Sequence, residues 1–94
     1  MSTQASSFVA ECFWPDVHEQ DVRRLDERIR ACIAGGVGVR YLGSILIRED
    51  EVVLCQFEGP AVAVREIAEQ AQVPFERLLR TSVAVPENER RTDD

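Results

Sequence analysis

Glu11, Ser44, Gln56 and Arg80 are the residues of this chain whose types and placement suit recognition chemistry. Each falls in a stretch that alternates as a β-strand. Counting with period two puts all four on one face, among Val9, Phe13, Leu42, Leu46, Val52, Leu54 and Leu78. A few oriented polar groups in an apolar field are what a small-molecule site needs. Glu11 is the most demanding of them, because a carboxylate in mid-strand on a covered face needs a partner. Arg80, expected on the neighbouring strand and on the same face, is the candidate. Two readings stand for Glu11: half of a structural ion pair, or a carboxylate serving a ligand, metal or reaction in a cleft. Ser44 and Gln56 either orient a bound molecule or make interface hydrogen bonds.

Other reactive side chains point to structure. His18, the single histidine, lies between Pro15 and the first helix, where it reads as a solvated turn residue. A Ser-His-Asp or Cys-His device would have to be built around it. Cys12, Cys32 and Cys55 fall on expected core faces, where a free thiol behaves as a small hydrophobe. An odd cysteine count argues against a disulfide framework. No nucleophile elbow, phosphate loop, paired CxxC or HExxH is present. Arg23, Arg24, Asp26, Glu27, Arg28 and Arg30 read as a solvated helix face.

These residues must be positioned by one small domain. The 94 residues carry 45% hydrophobic and 30% charged side chains, an ordinary globular balance. A net charge of −6 argues against nucleic acid or an anionic membrane surface as partner. All eleven basic residues are arginine, which reads as compositional bias. Residues 1–7 read as a flexible leader, polar and without the apolar region of a signal peptide, and no stretch approaches the ~20 apolar residues of a membrane span. A soluble cytoplasmic protein is expected. The acidic stretch 86–94 reads as a disordered tail.

Between these ends the period of the apolar residues changes in order. Residues 8–14 alternate as a strand and Pro15-Asp16 stops it. Val22, Leu25, Ile29, Cys32 and Ile33 form one helical stripe, closed by Gly35-Gly36. Strands over 39–48 and 51–58 meet at Glu49-Asp50. Gly59-Pro60 opens a second helix with the stripe Ala61, Val64, Ile67, Ala68 and Ala71, and residues 78–85 read as a fourth strand. The order βαββαβ predicts a ferredoxin-like α+β fold over 8–85, an antiparallel sheet 4-1-3-2 with both helices on one face. Phe8, Ala10, Cys12 and Trp14, with Tyr41, Ile45, Ile47, Val53, Phe57 and Leu79, are expected beneath the helices. The other face stays apolar, which predicts a covering partner.

Val9-Ala10-Glu11 with Pro15, the hairpin containing Ser44, Glu49-Asp50 and Cys55, and the second helix running into Val73-Pro74-Phe75 resemble one family. It is a bacterial, mostly actinobacterial, family of unknown function with a ferredoxin-like fold, whose named member is described as a nickel-binding protein. Related small domains form dimeric α+β barrels. Val9 and Glu11 match its first-strand Val-Glu loosely, and Ser44 and Cys55 match its hairpin Ser and Cys. Where members carry histidine this chain has Gly43 and Ile67. The resemblance therefore implies the fold and a homodimer, while no metal site or cofactor is expected. The favoured reading is a small cytoplasmic homodimeric protein holding a small, mostly apolar ligand in a cavity. The alternatives are a dimeric-barrel enzyme of monooxygenase, isomerase or cyclase type, or a nickel-binding protein.

Overall fold

A computed structural model describes residues 6–82. The elements are β1 (Ser7–Phe13), α1 (Glu19–Ile33), β2 (Arg40–Ile47), β3 (Val52–Glu58), α2 (Ala61–Gln70) and β4 (Arg77–Thr81). The strands pair antiparallel in the order β2-β3-β1-β4, and both helices lie on one face. This is the ferredoxin-like α+β arrangement, the expected sheet order read from its other edge. Ser7 belongs to β1 rather than to the leader, and Arg77 to β4. Residues 1–5 of the leader, residues 83–85 of the expected fourth strand and the acidic tail lie outside the described residues.

The core forms where the stripes of the helices meet the even-numbered side chains of β1. Phe8, Ala10 and Cys12 pack with Val53, Cys55 and Phe57 of β3, Leu25 and Ile29 of α1, and Val64, Ile67 and Ala68 of α2. Each large buried side chain contributes about 1.5–3 kcal/mol relative to exposure. The acids Glu19 and Asp21 occupy the first turn of α1 and Arg30 its last, matching the helix dipole. The His18 backbone N–H donates to Asp21 Oδ2 at 2.9 Å, satisfying one group before the helix begins. α2 ends in a Schellman motif. The Val73 N–H reaches the Ala68 carbonyl at 2.9 Å and the Gln72 N–H that of Glu69 at 3.1 Å, with Gln72 in the left-handed region at φ 58°. At Gly59, φ is 151° and a Cβ would stand 2.9 Å from the Gly38 carbonyl oxygen, so only glycine fits the crossing there.

Two features re-aim the strands. Tyr41 pairs with Phe57 and Gly43 with Gln56, leaving Leu42 as an extra residue in β2. This bulge, with Gly43 at φ 117°, reverses the alternation beyond it. Ser44 and Leu46 therefore share the helix-covered face with Cys55 and Val53, while Ile45 and Ile47 face outward with Leu54 and Val52. The expectation for these four residues was the reverse. In β4, Arg80 pairs with Phe8 and Leu78 with Ala10, so both point to the helix side and Leu79 to the open side. That too is opposite to the expected phase. Leu78 packs against the core and Leu79 is exposed.

Candidate functional site

The open face of the sheet gathers the candidate site. β1 brings Val9, Glu11 and Phe13; β2 brings Ile45 and Ile47; β3 brings Val52, Leu54 and Gln56; β4 brings Arg77 and Leu79. Phe13 is 55% exposed, Ile45 46% and Leu79 37%, so three large apolar side chains meet solvent on one surface. Leu42, in the bulge, is exposed as well. Antiparallel sheets commonly wet one face, but with polar residues alternating into it. Here the strands alternate apolar to apolar.

The charges of this face come in neutral pairs. Arg77 Nε donates to Glu11 Oε1 at 2.7 Å, in the register that sets Glu11 opposite Arg77. The expected partner, Arg80, is three residues further on and faces the other way, its guanidinium 5.6 Å from the Phe8 ring centroid. The Glu11–Arg77 pair is also partly solvated, with side chains 31% and 63% exposed. The bond to Arg77, and then its charge, hold the Glu11 carboxyl below its ordinary range against the opposing effect of desolvation. At one end of the face, Arg40 donates to Glu58 at 2.9 Å. Gln56, opposite Val9, adds an amide close to the Glu11 pair. Of the four expected site residues, Glu11 and Gln56 share this face, whereas Ser44 and Arg80 do not.

Ser44 has a different task. Its hydroxyl donates to Asp26 Oδ1 of α1 at 3.2 Å, and the Tyr41 hydroxyl donates to the same oxygen. The Tyr41 ring packs at a 48° tilt to that of Phe57, centroids 5.2 Å apart, and Arg30 lies 5.9 Å over its ring. Burial first, and the bond to Asp26 second, push the Tyr41 phenol well above its ordinary value. This cluster ties α1 to β2. Asp26, expected on a solvated helix face, is instead half-buried and accepts both hydroxyls. It stands at i+4 from Val22 and i−3 from Ile29, inside the apolar stripe, where a carboxylate needs a donor.

The cysteines are free, Cys12 and Cys55 buried and Cys32 half-buried. The Cys12 thiol beside it, and then burial, push the Cys55 thiol up, so it stays protonated and inert. Among the described residues no group of three or more His, Cys, Asp or Glu side chains gathers to hold a metal ion. Gly43 lies in the bulge and Ile67 is buried in α2, so neither position adds a ligand. Nickel binding receives no support from this arrangement. Among the described residues no helix is long and apolar enough to cross a membrane.

No protein-family model and no curated protein matches the chain. The crystal structure of SCO4226 from Streptomyces coelicolor A3(2) is similar, with a TM-score of 0.70 and 15% identity over 84% of this chain and 99% of that one. At that identity the likeness establishes the fold. The two are small α+β domains of one architecture.

Proposed function

We propose that this protein is a small cytoplasmic binding protein that works as a homodimer. Its two open sheet faces meet and hold a small, mostly apolar ligand between them. The observation that carries this reading is the open face itself: exposed Phe13, Ile45 and Leu79 around an ion pair that is already neutral. Contiguous apolar surface beyond a few hundred Å2 marks an interaction site. A second copy suits it for an electrostatic reason. A twofold interface must be self-complementary, and Glu11–Arg77 with Arg40–Glu58 present each sign beside its opposite. Two such faces can meet without stranding a charge. Within the cavity Glu11 and Gln56 supply the polar contacts that orient a ligand in an apolar surround. Three unlinked cysteines fit a reducing compartment.

Sedimentation of the purified protein at micromolar concentration tests the assembly. A species near twice the 10.6 kDa chain mass is expected. A single species at the chain mass overturns the proposal. Native mass spectrometry of the dimer tests the cavity, through an organic molecule that is retained by the wild type and lost from Glu11→Gln.

A further inference from the structure

A second recognition site lies away from the open face, between the start of α1 and the connection from α2 to β4. Trp14, Asp21, Arg24, Arg28, Gln72 and Pro74 line a groove of about 370 Å3. We propose that this groove binds a small organic carboxylate with a flat, apolar body.

The walls are held in place before any ligand arrives. Trp14 packs against the core, and its backbone N–H donates to the Glu51 carbonyl at 2.8 Å. Arg28 Nε donates to the Ala71 carbonyl at 2.9 Å and its terminal nitrogen to that of Gln72 at 3.3 Å. These bonds fix the guanidinium at the C-terminus of α2, yet its partners are carbonyls rather than a carboxylate. Arg24, one turn earlier on α1, makes no ion pair among the described residues. The single acid of the groove, Asp21, already accepts a hydrogen bond from the His18 N–H. Two arginines and one partly occupied aspartate thus line the groove, a local positive excess in a chain of net charge −6.

That excess selects an anion, and the planar fork of arginine suits a carboxylate. The indole of Trp14 and the ring of Pro74 give the body of the ligand a flat apolar wall. The volume, near the lower end of ligand pockets, suits a single ring with its acid group. None of the six lining residues belongs to the open face, so the inference stands apart from the homodimer.

Trp14 is the only tryptophan, so its emission reports on this groove alone. Titrating the full chain with sodium benzoate is expected to give a saturable emission change at millimolar concentration. Benzamide, the same shape without the charge, is expected to give none. Arg24→Gln should weaken benzoate roughly tenfold or more, the scale of a lost charge-assisted bond. Arg24 is exposed and forms no ion pair among the described residues, so circular dichroism should show that variant folded. The absence of a saturable response, an equal response to benzamide, or an undiminished response in Arg24→Gln overturns the proposal. A monomer in sedimentation that still binds benzoate would refute the homodimer and leave this site standing.

Discussion

Replacing Ile45 with glutamate should dissociate the proposed homodimer and leave the protomer folded. Ile45 stands on the outward side of the edge strand β2, opposite Leu54, and keeps 46% of its surface exposed. Burying such a side chain completely is worth about 1.5–3 kcal/mol, so covering the remaining half contributes roughly 1 kcal/mol. A twofold interface counts the residue twice, for roughly 2 kcal/mol per dimer. That loss alone raises the dissociation constant about 30-fold. Glutamate adds two carboxylates that would be buried without partners, at several kcal/mol each. A dimer of micromolar affinity is then carried beyond the millimolar range. In the protomer the new side chain is solvated and a charge on an edge strand is well tolerated, so the cost in folding stability should stay within about 0.5 kcal/mol. Sedimentation velocity across the micromolar range is the assay. Val62→Glu is its control, since Val62 is 71% exposed on α2 and α2 lies on the opposite face of the sheet. Ile45→Glu sedimenting as an unchanged dimer, or Val62→Glu dissociating equally, would refute the reasoning.

Tyr41 is the only tyrosine, so tyrosinate absorbance reads it directly. Its folded proton affinity is raised above the ordinary 10, so the stabilising effect is complete below pH 10 and lost as pH rises past it; Tyr41→Phe should show a shallower alkaline loss in melts. Glu11 has the opposite sign. Its carboxyl is held below the ordinary 4.5, so its contribution is present above that pH and lost as pH falls through the lower folded value. Arg77→Gln should weaken that acid dependence and Arg80→Gln should not, as chemical denaturation at pH 3–6 would show. Gly59→Ala should cost about 1–3 kcal/mol in urea denaturation, because a Cβ there meets the Gly38 carbonyl in a conformation side chains rarely adopt.

The elements and their order are legible in the chain because each rests on short-range signals. The Val22, Leu25, Ile29 stripe, the Gly35-Gly36 stop and the strict alternation of Phe8, Ala10 and Cys12 need only neighbours along the sequence. From βαββαβ the sheet order follows, since few topologies are open to that order of elements. The apolar second face was visible for the same reason: β1 and β3 carry hydrophobic side chains at both parities.

Which side chains share that face was decided by pairing. In β2 almost every residue beyond the bulge is apolar or small, so Tyr41–Ile47 reads equally well in either phase. The extra residue at Leu42 settles it, placing Ser44 beside Asp26 and sending Ile45 outward. In β4, Leu78 and Leu79 are adjacent and identical, so local pattern cannot orient the strand. Hydrogen bonding to β1 does, and it brings Arg77 rather than Arg80 to Glu11. The groove beneath Trp14 was hidden for a related reason. Its arginines lie on α1 and its carbonyl anchors some 43 residues later, on the far side of α2. An alternating or helical period records which way a side chain points from its own backbone. Only the register between distant segments, set by hydrogen bonds and close packing, determines what it meets.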